Sequence, residues 1–174
     1  MLYGTRFNFC NFMQLFRDMR KIPLALFAVV VIYIASTLFS SCKHGCGREG
    51  GTSTAGSKES HNVGLNCLNC HSGNGDGEGC FNVGGTAFMD DLTTAFPGCD
   101  VSLYTEAEGK GELVISLKAD GKGNFYTGKS INWGNGLYPT ITSPAGNKEN
   151  MLEPIKTGAC NSCHGVTTDR VYIY

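Results

Sequence analysis

Two short stretches concentrate the reactive residues of this chain. "LNCLNCHSG" (65–73) and "GACNSCHGV" (158–166) each hold two cysteines two residues apart, followed at once by a histidine. A C-x-x-C pair can serve thiol–disulfide exchange, half of a zinc site, or covalent attachment of haem. A thioredoxin-like pair expects a βαβ setting and a helix N-terminus, and neither stretch sits in one. Zinc knuckles stand roughly 15–20 residues apart, whereas 89 residues separate Cys70 from Cys160. A zinc site also has no need of histidine at the same place in both copies. A disulfide closed within either pair would make a small, strained ring.

The haem reading uses every position. The two thiols form thioethers with the porphyrin vinyl groups, and the histidine next in sequence falls beneath the ring, within reach of the iron. One C-x-x-C-H arises by chance in about one chain in a hundred of this composition, and two copies in roughly one in ten thousand. Cys67, Cys70, His71 and Cys160, Cys163, His164 carry a resemblance to the c-type cytochromes, confined to these two five-residue motifs. The resemblance implies two covalently bound haem c groups, with His71 and His164 as proximal iron ligands.

Each iron has a second axial position. Beyond the leader, the remaining imidazoles and thioethers are His44, His61, Met89 and Met151. His61 lies six residues before Cys67 and Met151 nine before Cys160. At about 3.3–3.6 Å per extended residue, either can loop over a haem face. They are the candidate distal ligands. His44 reads as a solvated residue of a polar segment and Met89 as core filler.

Haem attachment to this signature in bacteria takes place outside the cytoplasm, and the N-terminus supplies an export signal. From Met19 the chain runs "MRKIPLALFAVVVIYIASTLFSSC", a basic start followed by an uncharged run from Ile22 to Cys42. That is the layout of a signal peptide over residues 1–41, with Met19 a plausible true start. "LFSSC" resembles a bacterial lipobox, which implies cleavage before Cys42, lipidation of Cys42 and a membrane anchor. Phe39 departs from the leucine usual there. The alternative is an uncleaved anchor, for which the 16 residues of Leu24–Phe39 fall short of the roughly 20 that span a bilayer.

What remains must position the motifs. Residues 42–60 are rich in Gly, Ser, Thr and charge and read as a flexible tether. Residues 61–79 form a first haem-binding segment. Residues 80–145 change character: "CFNVGGTAF", "CDVSLYT", "ELVISLKA", "GNFYT" and "LYPTITS" are short, β-branched or aromatic, and separated by Gly, Asp, Asn and Pro. That pattern predicts an antiparallel β unit, with Val101 and Leu103 on one face and Leu113, Ile115 and Leu117 sharing another. "VGGTAF", "GCDVSLYT", "ADGKGNFYT" and "LYPTITSPAG" make the segment resemble the carboxypeptidase-regulatory-like family of transthyretin-type β-sandwiches. The family implies a scaffold rather than an activity. Residues 146–174 carry the second motif and a short tail.

The fold expected is therefore mainly β, a small antiparallel sandwich flanked by two loop-rich haem segments with little helix. Termini of small domains often lie close together, so motifs distant in sequence can be neighbours in space. Cys80 and Cys99, at the starts of the first two strands, read as a disulfide closing a loop of about 20 residues, for roughly 3 kcal/mol. Cys46 is left without a partner.

From Cys42 onward, 10 Lys/Arg stand against 14 Asp/Glu, which is no basic footprint for nucleic acid. The leading expectation is an exported, lipid-anchored dihaem cytochrome exchanging electrons with another cytochrome or oxidoreductase. Two others stand beside it: a haem enzyme or gas sensor with one open iron, and a zinc-knuckle or disulfide-linked β-sandwich that acts as a binding module.

Overall fold

The computed structural model describes Cys46 and residues 49–174. The leader, the lipidation candidate Cys42 and His44 lie outside the described residues. The fold is mainly β, as the pattern predicts. Strands β1 (Val83–Thr86), β2 (Asp100–Glu106), β3 (Lys110–Lys118), β4 (Asn124–Thr127) and β5 (Tyr138–Thr142) match the five stretches read as strands, with β2 running one residue further and β3 starting two residues earlier. Two short strands, β6 (Lys148–Asn150) and β7 (Gly158–Ala159), arise where the sequence is too polar or too small to announce them. Among the described residues the helical elements are single 3₁₀ turns, and no helix is long and apolar enough to cross a membrane.

The strands form two sheets. One is antiparallel throughout, in the order β3-β2-β5-β6, and the other has the order β4-β1-β7. Their apolar faces share one core, in which Val83, Val101, Leu103, Leu117, Phe125, Leu137, Ile141 and Ile173 are buried. In β2 Val101 and Leu103 are both buried as expected, and Ser102 between them is buried too, with its hydroxyl bonded to Ser116 across the strand pair. In β3 the expected alternation breaks. Leu117 and Ile115 face Val101 and Leu103, but the next paired residue after Leu103 is Tyr104, opposite Leu113. One extra residue, Val114, is accommodated there as a bulge, which turns Leu113 out to 49 % exposure. A bulge reverses the face of everything beyond it, so the expected three-residue stripe ends at Ile115.

The expected tether is not free over its second half. Glu49 bridges to Cys80, Gly50 N–H donates to the Cys80 carbonyl at 2.9 Å, and Thr52 bridges to Thr127. Ser53 N–H donates to the Tyr126 carbonyl at 2.9 Å, and its hydroxyl to the Lys118 carbonyl at 2.8 Å. The segment thus borders β4, where otherwise unpaired edge groups supply its partners. Composition missed this because the docking is carried by backbone groups, which every residue owns, and by the small hydroxyls of Thr52 and Ser53, which read as solvated.

The same contact corrects the disulfide. Cys80 pairs with Cys46, 34 residues away in sequence, not with Cys99. Cys99 is a free thiol, fully buried beside Val101 and Ala119, with its Sγ–H donating to the Phe96 carbonyl. Its side chain enters the core, whereas Cys80 stands beside the docked N-terminal segment that delivers Cys46. Burial pushes the Cys99 thiol up from an ordinary value near 9 to about 12. The unfolded chain therefore ionises first, and stability should fall as pH rises from 9 toward 12, by about 1.4 kcal/mol per pH unit. Urea unfolding at stepped alkaline pH should show that slope, and Cys99→Ala should be flatter by that amount.

Candidate haem-binding sites

Each motif folds into the same small unit. In the first, residues Cys67–Asn69 make one 3₁₀ turn, started by Asn66, whose side chain accepts from Leu68 N–H at 3.1 Å. The Cys67 carbonyl then accepts from both Cys70 N–H (3.3 Å) and His71 N–H (2.9 Å). In the second, Cys160–Ser162 turn likewise, and the Cys160 carbonyl accepts from Cys163 N–H (3.3 Å) and His164 N–H (3.1 Å). One carbonyl thus gathers the second cysteine and the histidine of each motif onto one compact loop. The first cysteine of each is half-buried and the second exposed.

Both imidazoles are oriented in the same way. His71 Nδ1–H donates to the carbonyls of Glu78 (3.1 Å) and Gly79 (3.2 Å), and His164 Nδ1–H donates to the Asp169 carbonyl at 2.7 Å. A carbonyl can only accept, so the proton sits on Nδ1 and leaves the Nε2 lone pair free. That is the arrangement a metal-ligating histidine adopts. Phe81 stacks on His71 at 4.2 Å, and Tyr126 on Phe81 at 4.7 Å, which fixes the plane of the ring.

Strand pairing brings the motifs together. β7 runs parallel to β1, with Val83 opposite Gly158 and Gly84 opposite Ala159, so Cys160 leaves the sheet beside Gly85. Gly84 faces the first motif: a Cβ there would stand 2.9 Å from Cys67 Cβ and 3.3 Å from its Sγ. Gly85 faces the second, where a Cβ would stand 2.9 Å from Cys160 Cβ. The β1 backbone is the partition between the sites. Chained through consecutive Cα atoms, these contacts hold the two cysteine Cβ atoms within about 13 Å of each other.

Two cavities open on the motifs. One, of about 560 Å³, is lined by Cys67, Cys70, His71 and His61. The other, of about 380 Å³, is lined by Cys160, Cys163, His164 and Met151. Each candidate distal ligand thus shares a cavity with the motif nearest it in sequence. Met89 lines neither and is 37 % exposed, so it is not core filler. The His61 and His71 rings lie 5.8 Å apart between centroids. A metal sits about 2 Å from an imidazole nitrogen, so two imidazoles on opposite sides of one ion have centroids roughly 6 Å apart.

The donor set distinguishes among the chemistries. Among the described residues no three His, Cys, Asp or Glu side chains converge as a metal cluster, as a zinc knuckle needs. An iron already held by four porphyrin nitrogens needs one or two protein ligands, and each cavity is lined by two side chains of a type that could serve. Burial raises the Cys67 thiol and pushes Cys160 up to about 12, and the nearby Cys67 adds to the second shift. An exchange-active thiol is shifted the other way. The second cavity has an apolar wall of Val101, Phe125, Ile141 and Ile155 that suits a flat apolar ring, whereas the first is more polar, with Leu65, Phe81 and Tyr126 beside Glu59, Asn62, Asn66 and Glu78.

Phe81, the pinning carbonyls and the two glycines escape a motif search. "VGGT" alone carried a signal, since glycine inside a strand marks a close approach. In comparisons with protein-family models, curated proteins and solved structures, the chain matches none.

Proposed function

We propose that this protein is an exported, membrane-anchored c-type cytochrome with two covalent haems that carries electrons to or from another cytochrome or oxidoreductase. The observation that carries this reading is the duplicate site, in which each cavity gathers a C-x-x-C-H unit with a free Nε2 and one further side chain, His61 or Met151, of a type that can ligate iron. The leader and Cys42 supply export and anchoring from sequence alone.

Cys67 with Cys70, and Cys160 with Cys163, would hold the groups through thioethers, and His71 and His164 would bind from the proximal side. Haem supplies reversible one-electron iron chemistry when bound. The chain keeps each imidazole in one tautomer and sets His61 and Met151 in the same cavities as the motifs, where they would serve as the second iron ligands. Distal imidazole favours a low potential and thioether a higher one, which makes the two sites unequal. With His61 and Met151 bound as well as His71 and His164, neither iron would keep a place for substrate, which favours a carrier over a peroxidase-like enzyme or gas sensor.

The test is protein made with a cytochrome maturation system, read by intact mass and the reduced pyridine-haemochrome spectrum. Two haems per chain are expected, with one lost in Cys67→Ser/Cys70→Ser and the other in Cys160→Ser/Cys163→Ser. Fewer than two on the unaltered chain would end the proposal.

A further inference from the structure

Residues 60–65 bear His61 and lead into the first motif, yet they belong to no strand. A chain of buried side chains holds them. Asn124 Nδ2–H donates to Ser60 Oγ at 2.9 Å and to the His61 carbonyl at 3.3 Å. Thr86 Oγ1 accepts from Gly64 N–H at 2.9 Å and donates to Asn124 Oδ1 at 2.5 Å. Asn161 Nδ2–H donates to the Leu65 carbonyl at 3.2 Å, and its Oδ1 accepts from Thr86 N–H at 3.1 Å. Thr86, Asn124 and Asn161 are 0 %, 1 % and 4 % exposed.

Asn161 is the first residue between the cysteines of the second motif. The arm that presents His61 to the first site therefore hangs, through two further side chains, on the loop that builds the second. We propose that Asn161, Thr86 and Asn124 act as one positioning device that sets the axial ligation of the first haem from the second motif. This rests on the proposed function, and it adds a coupling between the sites that the motifs alone do not contain.

Thr86 is the hub, because its single hydroxyl both accepts and donates. A buried network that loses one member leaves the others unsatisfied, so its effects are cooperative. The arm has little else to hold it: its own backbone contributes the Leu65 N–H to Asn62 carbonyl bond, and Lys122 Nζ reaches the Ser60 carbonyl.

The experiment is ferric electron paramagnetic resonance of matured, full-length protein. Unaltered protein should be low-spin throughout. Thr86→Val, which keeps shape and loses the hydroxyl, should turn about half of the iron high-spin, the share of one haem in two. Thr86→Ser should restore the low-spin signal, and adding His61→Ala to Thr86→Val should change nothing more. Should Thr86→Val not fold, Asn161→Ala decides: it spares the cysteines and histidine of its own motif, and the same high-spin half is expected. Low-spin spectra in Thr86→Val or Asn161→Ala carrying two haems, with His61→Ala high-spin, overturn the positioning role and leave the cytochrome reading intact. Failure of that reading shows separately, as missing haem on the unaltered chain. A His61→Ala protein that stays low-spin removes the ligand, and the device with it.

Discussion

His61→Ala is expected to open one iron and leave the other untouched. About half of the ferric iron turns high-spin, and the reduced protein takes up roughly one carbon monoxide per chain beyond the unaltered protein. The reason is scarcity. In the first cavity His71 is fixed through Nδ1, and the ring opposite it is His61, with 5.8 Å between centroids. Met89 is outside the cavity, and Met151 lines the other one. The fold should survive the change, since His61 is exposed and contributes its carbonyl, not its ring, to the Asn124 bond. Electron paramagnetic resonance and a carbon monoxide difference spectrum, taken beside a thermal melt, separate ligand loss from unfolding. A wholly low-spin variant with two haems would falsify the assignment of His61.

The second large effect is expected at Gly85. A Cβ there would stand 2.6 Å from the Phe125 ring, 2.9 Å from Cys160 Cβ and 3.1 Å from Asn161 Oδ1. Phe125 is buried in the core and cannot swing aside. Gly85→Val adds three carbons where one has no room, so β1 and the second motif must separate. Overpacking of this kind costs about 3 kcal/mol, and the melting temperature should fall by roughly 10 °C. Because the clash is with Cys160 and not with Cys67, occupancy at the second site should fall first, and haem-peptide mapping reads the two sites independently. Equal haem loss from both sites would mean that β1 does not partition them.

The two motifs were legible because cysteine and histidine recur at the same fixed spacing, and each folds into the same local turn. Five strands were legible because β-branched and aromatic residues alternate between turn clusters. The shared face of Leu113, Ile115 and Leu117 was not, because a bulge is set by the partner strand and leaves no mark on local periodicity. β7 is two small residues whose pairing with β1 is non-local. The Cys80–Cys99 pairing failed because connectivity depends on which segments meet, and Cys46 arrives on a stretch whose composition reads as solvent-exposed. Reach and ligand type single out His61 and Met151, and the cavities group each with its nearer motif.

The Cys46–Cys80 bond also sets a working radius. A lipid-bearing Cys42 followed by a free segment to residue 60 would let the folded unit range up to about 65 Å from its anchor. With Cys46 fastened to Cys80, four residues remain, and they reach about 14 Å at full stretch. Cys80 directly precedes Phe81, which stacks on His71, so the fastening point adjoins the first site. A carrier anchored through Cys42, as proposed, would be held too closely to shuttle across a compartment. Under the proposed function it would work like a fixed relay post, whose partners come to the membrane surface or already reside there.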